Sequence, residues 1–246
     1  QEALEQDVDA AVRCGADDPT GWRQLAVRDR SAILAQAGDQ LRAARGDLTM
    51  LAVAEGGKTV AEADPEISEA VDFVEFYRRS AVSLSEIDSV QARGLGCVLV
   101  ASPWNFPIAI PTGGVAAALA AGNTVILKPA SDTVLTAERL CRCFWDAGVP
   151  REVLQLLPGP GSSVGQRLAT HRDIDAVILT GGTETARQIL EAHPLVNLLA
   201  ETGGKNTTIV TAMADRDLAI KNVLHSAFGH SGQKCSATSL LILETE

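Results

Sequence analysis

GLGCVLVASPWNFPIAIPTGGVAAALAAGNTVILKPA, residues 94–130, carries two short apolar runs, Cys97 to Ala101 and Thr124 to Leu127, on either side of a helix-length segment, Pro107 to Ala121. Neither run alternates polar with apolar residues, as expected of strands covered on both faces. Strand, helix and strand in that order make a β-α-β unit, whose strands run parallel. The window from Ile108 to Leu127 is long enough to raise the question of a membrane span. Pro111, Gly113, Gly114, Gly122 and Asn123 interrupt it, so it reads as a buried Ala-rich helix followed by a strand.

The same rhythm continues downstream. Apolar runs at Val153 to Leu157, Ala176 to Leu179 and Val196 to Leu199 alternate with helical segments at Thr133 to Ala147, Ser162 to Thr170 and Thr183 to Ala192. From Gly203 a new segment starts, with a strand near Thr207 to Val210, a helix near Asp215 to Phe228 and a strand at Leu240 to Leu243. Upstream, from Glu2 to about Ser89, Leu34, Ala37, Leu41, Leu48 and Val74 recur at helical spacing among charged residues, with turns at Gly15 to Gly21 and Glu55 to Lys58. The expected fold is α/β: a parallel Rossmann-type sheet with helices on both faces, preceded by a helical N-terminal region. The expected parts are residues 1–90, 91–202 and 203–246. No internal repeat or low-complexity tract interrupts them.

Composition narrows the function classes. A chain of 246 residues with 46% hydrophobic and 21% charged residues can bury a core. Its net charge of −10 and the lack of any basic run argue against nucleic acid or anionic lipid as a partner. Five cysteines, an odd number, read as reduced thiols in a cytoplasmic protein rather than as a disulfide framework. The acidic stretch Gln1 to Ala11 has no apolar core and does not resemble a signal peptide; it reads like the middle of a protein.

Several segments could carry chemistry. Gly159-Pro-Gly161-Ser-Ser-Val-Gly165 comes nearest to the dinucleotide fingerprint G-x-G-x-x-G, but its last glycine falls one residue late. Thr180-Gly181-Gly182-Thr183-Glu184 follows a strand and opens a helix, so free N–H groups there could receive a phosphate. Asn105 would project from the carboxyl end of a strand, where open α/β sheets place ligands, or simply cap a turn. Glu201, delivered by an apolar strand into a diglycine turn, is either a general base or a solvated strand-end carboxylate. Cys235, in Gly232-Gln-Lys-Cys235 with a lysine beside it, is either a nucleophile or an inert thiol.

Taken together, Pro103-Trp-Asn-Phe-Pro107, Lys128-Pro129-Ala130, Thr180-Gly-x-Thr-Glu184, Glu201-x-Gly-Gly-Lys205 and Gly232-Gln-x-Cys235 resemble the signature segments of the aldehyde dehydrogenase superfamily. Arg28, Arg30, Glu55-Gly-Gly-Lys58 and Glu69 to Tyr77 also look like its N-terminal region, so the resemblance covers nearly the whole chain. It implies that Cys235 attacks the aldehyde, that Asn105 and the Cys235 N–H form the oxyanion hole, and that Glu201 activates the hydrolytic water. It implies NAD as cofactor, with NADP possible, and no metal. Lys128 would bind the adenosine ribose, Gly181, Gly182 and Thr183 would lie near the pyrophosphate, and Pro103, Trp104 and Ser131 would complete the cofactor site. Many NAD-preferring relatives carry an acid where this chain has Ser131, which argues against strict NAD selectivity. On this resemblance residues 91–202 are the NAD(P)-binding domain and 203–246 the start of a catalytic domain whose remainder lies beyond the sequence.

Gly232-Gln-Lys-Cys-Ser-Ala237, Ala186 after Thr183-Glu-Thr, and Ala70-Val-Asp-Phe73 look most like the 1-pyrroline-5-carboxylate (glutamate-semialdehyde) dehydrogenases, including the module of bifunctional proline-oxidising proteins. That resemblance implies a semialdehyde substrate, a Ser236 contact to its α-carboxylate, a homo-oligomer and, in some members, fusion to a proline dehydrogenase. Two alternatives remain: a CoA-acylating or phosphorylating relative, which has no need of the base Glu201, and a nucleotide-binding or assembly fragment without activity of its own.

Overall fold

The computed structural model describes residues 3–244. The expected start of the helical region at Glu2 lies outside them. Helices α1 (Glu5–Asp17), α2 (Val27–Ala43), α3 (Arg45–Gly56) and α4 (Val60–Ser85) come first. Then follow β1 (Cys97–Ala101), α5 (Ala109–Ala120), β2 (Thr124–Lys128), α6 (Val134–Asp146) and β3 (Leu154–Leu156). The chain continues through α7 (Gln166–Ala169), β4 (Ala176–Gly181), α8 (Thr183–Ala192), β5 (Asn197–Thr202), β6 (Asn206–Val210), α9 (Arg216–Phe228) and β7 (Thr238–Leu243).

Strands β1 to β5 form one sheet in the order β3-β2-β1-β4-β5. β1 is central: Cys97 to Ala101 pair in parallel with Thr124 to Lys128, and Val98 to Ala101 with Ala176 to Leu179. Alternate residues of β1 enter opposite cores. Val98 and Val100 pack with residues of α2 to α6, whereas Cys97 and Leu99 pack with residues of α1, α7 and α8. The centre of the sheet is thus covered on both faces, which is why β1 is apolar at every position, whereas the edge strand β5 is largely exposed. The helical N-terminal region is not one layer, because α1 crosses to the other face from α2, α3 and α4.

One expected helix differs. Ser162 to Thr170 is a wide π-type turn at Gly161–Gly165 followed by the short α7, with the Gly165 N–H donating to Pro160 O at 3.1 Å. Glycines at both ends of the turn and a preceding proline favour this over regular α-helix.

By contact the chain divides into two compact units, Gln1–Ala200 and Glu201–Glu246. In the second, β6 and β7 pair in parallel around α9, a further β-α-β arrangement. No residue of α9 is buried.

At Gly114 a Cβ would stand 2.8 Å from Val100 Cγ1, so α5 lies on β1 as closely as a bare backbone permits. Gly114→Val should cost about 1–3 kcal/mol of stability by overpacking this contact, read as a lowered urea midpoint.

Candidate functional site

In the first unit, three loops leave the carboxyl ends of β1, β2 and β4. The loop after β1 holds Pro103, Trp104 and Asn105 and is tied to β2 by Ser102 N–H donating to Lys128 O at 3.2 Å. Trp104 is 39% exposed, and Asn105 is half-buried. The Asn105 carbonyl accepts from Lys58 Nζ at 2.9 Å. Lys58 itself is placed by two helix ends. α3 stops at Gly57, whose φ of 64° suits glycine, and Lys58 N–H donates back to Ala52 O. Thr59 and Glu62 then form a capping box that opens α4.

Neither α5 nor α6 has a capping side chain of its own. Glu66 Oε1 accepts from the N–H groups of Ile108 and Ala109 at 2.7 and 3.0 Å, closing the start of α5. Glu55 does the same for α6, accepting from the N–H groups of Leu135 and Thr136 at 2.9 and 2.7 Å. Each acid satisfies N–H groups that the helix leaves open and sits at the positive end of its dipole.

Lys128 ends β2 and is buried. Its Nζ donates to Pro129 O at 2.7 Å, and burial holds its pKa below the usual lysine range. A Cβ at Gly165 would stand 3.1 Å from Lys128 Cε, so the wide turn packs directly on the lysine stem. Ser131 is exposed beside the same loop. At the end of β4, Gly181, Gly182 and Thr183 lead into α8, whose N-cap Gly182 is extended and receives no side-chain cap. Among the described residues no side chain caps this helix start, which lies at the carboxyl end of β4.

The second unit holds Glu201, Cys235 and Ser236, all exposed. Glu201 lies in β5 and is exposed. Cys235 follows three consecutive left-handed residues, His230, Ser231 and Gly232, with φ of 54°, 54° and 70°. The side chain of Asn206 fixes the next turn, donating to Cys235 O at 2.6 Å and to Ala237 O at 3.0 Å. Sequence reasoning missed Asn206, as it missed Glu55 and Lys58 as positioning groups. An asparagine at a strand start looks like turn chemistry, and its partners lie about thirty residues away, a pairing that no local pattern encodes.

The cysteines divide by environment. Cys97, Cys141 and Cys143 are buried, Cys14 is intermediate and Cys235 is exposed. Burial pushes the Cys97 and Cys143 thiols up to about 11 and raises that of Cys141 as well. These three stay protonated and out of reach.

A sequence model of the aldehyde dehydrogenase family matches residues 1–246. The chain belongs to this family. It is 38% identical over 243 residues to a 1-pyrroline-5-carboxylate dehydrogenase of Bacillus cytotoxicus, covering 92% of this chain and 47% of that protein. Among solved structures, Proline Utilization A (PutA) from Corynebacterium freiburgense matches with a TM-score of 0.91 and 45% identity, covering 99% of this chain and 25% of that one. A 1-pyrroline-5-carboxylate dehydrogenase from Thermus, solved with bound NAD, matches with a TM-score of 0.92 and 37% identity, covering 98% of this chain and 51% of that one. The family member described here therefore spans about half the length of the dehydrogenases that it matches, and less of the longer proteins.

Two outcomes are expected. Glu55→Ala should lower stability by about 1–2 kcal/mol in a denaturant melt, because the first turn of α6 loses its only capping side chain. Iodoacetamide near neutral pH should label Cys235 first and spare Cys97, Cys141 and Cys143, as read by peptide mass mapping; early label on any of those three would contradict the burial described.

Proposed function

We propose that the protein oxidises an aldehyde to a carboxylate with NAD(P), by way of a thioester on Cys235. The observation that carries this is the joint presence of an exposed cysteine in a fixed turn, a glutamate in the same unit, and, in the first unit, a helix start with no side-chain cap and a buried lysine at a strand's carboxyl end. The residues of the first unit suit a dinucleotide. Of the three helices that follow β1, β2 and β4, two have their positive ends occupied by Glu66 and Glu55, and α8 does not. A pyrophosphate is the anion that such an open start accepts.

Lys128 is the donor for ribose hydroxyls, with Gly165 giving the close approach beside it. Pro103 and Trp104 complete the site after β1. Ser131 carries no charge to repel a 2′-phosphate, so NAD and NADP are both accommodated. When bound, NAD(P) supplies the acceptor for the two electrons and hydrogen that leave as hydride.

The chain's own residues do the rest. The Cys235 thiolate adds to the aldehyde carbon, and the resulting oxyanion is stabilised by the Asn105 amide and the Cys235 backbone N–H. Loss of hydride leaves an acyl thioester. Glu201 takes a proton from water as its oxygen adds to the thioester carbon, and the carbon–sulfur bond then breaks, giving the carboxylate and free thiolate. A solvated carboxylate is available for this, because its partner is water. Glu201 favours hydrolysis over transfer to CoA or phosphate, neither of which needs a water-activating base.

The substrate most consistent with the relatives is L-glutamate γ-semialdehyde, oxidised to L-glutamate in proline degradation, with Ser236 contacting its α-carboxylate. Assembly as a homo-oligomer, fusion to a proline-oxidising domain and a cytoplasmic setting belong to the same proposal. Among the described residues no helix is long and apolar enough to cross a membrane.

Expressed from its complete gene, the protein should reduce NAD or NADP with this semialdehyde. Cys235→Ser should lower kcat at least about a thousandfold while leaving dinucleotide affinity in place, measured by calorimetry. Glu201→Gln should retain the first burst of NAD(P)H and stall afterwards. Absence of NAD(P)H formation with every semialdehyde offered would sink the assignment.

A further inference from the structure

Lys58 and Glu66 are each only 1% exposed at the side chain and stand 2.8 Å apart. Two full charges withdrawn from water carry a large desolvation cost, and an apolar pair of similar volume would often serve stability as well or better. What distinguishes this pair is where its remaining bonding capacity goes. Lys58 Nζ donates to the carbonyl of Asn105 and lies 4.2 Å from the centre of the Phe106 ring. Glu66 Oε1 accepts from the N–H groups of Ile108 and Ala109. Between them the two side chains bond the backbone at residues 105, 108 and 109 and face the ring of 106, and so hold both ends of the turn that leads from β1 into α5.

We infer that the Lys58–Glu66 pair is a positioning device for Asn105, fixing the backbone that aims its side-chain amide. The inference rests on the oxyanion role given to Asn105 under the proposed function. The physical ground is that an oxyanion donor acts through preorganisation: it must already stand where charge develops, and a displacement near 1 Å costs about a hundredfold in rate. The loop's own residues include two prolines, Pro103 and Pro107, which restrict φ but supply no N–H to tie it down. A rigid, doubly charged anchor from the start of α4 supplies that restraint. It uses directional hydrogen bonds, which specify a position more sharply than apolar packing does.

The test uses the protein expressed from its complete gene. Lys58→Met with Glu66→Gln removes both charges together, so no buried charge is stranded, and the Gln amide oxygen can still accept from Ile108 and Ala109. Expected is a folded protein whose kcat falls about ten- to a hundredfold while KM for the dinucleotide changes less than about threefold. In an Asn105→Ala background the same pair of substitutions should add less than about threefold, because both act through one donor. Should the double variant not fold, Lys58→Gln keeps a donor for Glu66 yet is too short to hold Asn105 as well, and it carries the same comparison.

An unchanged kcat in a folded variant would overturn the inference. So would an undiminished loss in the Asn105→Ala background, which would place the effect elsewhere. If Asn105→Ala alone leaves kcat intact, the oxyanion assignment itself fails, and the inference falls with its premise. That result is distinct from a failure of the pair to act.

Discussion

The structure depends on one constraint: a parallel sheet whose strands are apolar on both sides must be covered on both sides. β1 meets it most fully, with Val98 and Val100 in one core and Cys97 and Leu99 in the other. Parallel strands require crossovers, and each crossover returns the chain to the same edge of the sheet. The loops after β1, β2 and β4 are therefore gathered at the carboxyl edge, and each opens a helix whose first N–H groups need partners. The candidate cofactor site follows from how those helix starts are satisfied.

Two of the three are satisfied by acids from distant sequence. Glu66 closes α5 and Glu55 closes α6, both from the helical layer that precedes the sheet. The short turn from Glu55 to Lys58 thus acts on two loops at once, capping α6 through the glutamate and holding the Asn105 loop through the lysine. The N-terminal helices do more than cover a face, since they set the geometry of the edge where ligands bind in folds of this kind. Of these three helices, α8 begins on glycines and has no side-chain cap among the described residues.

The second unit solves a different problem. Cys235 is exposed, and the turn that carries it has to be held in place. Asn206 does this by donating to the carbonyls of Cys235 and Ala237, while the left-handed backbone from His230 to Gly232 redirects the chain just before the thiol. Left-handed geometry at His230 and Ser231 carries a steric cost that glycine avoids, and persistence of such geometry beside a functional group is a recurrent sign of a site. The buried cysteines Cys97, Cys141 and Cys143 are packing groups, with thiols that desolvation keeps neutral.

Local pattern was enough for most of the elements. The apolar runs at Cys97 and Thr124, the helix at Thr183 to Ala192 and the glycine turn before it were legible because strand period, helix period and turn chemistry are properties of neighbouring residues. The motifs around Asn105, Lys128, Glu201 and Cys235 pointed to the family through their resemblance to its signature segments, and the family model matches the chain. Tertiary structure alone decided that α1 crosses to the opposite face from α2 to α4, that a π-type turn replaces the expected helix at Gly161–Gly165, and that Glu55, Lys58, Glu66 and Asn206 hold the loops in place. Those residues act on groups tens of positions away, and a charged side chain on a helix looks solvated until the fold brings its partner and excludes the water.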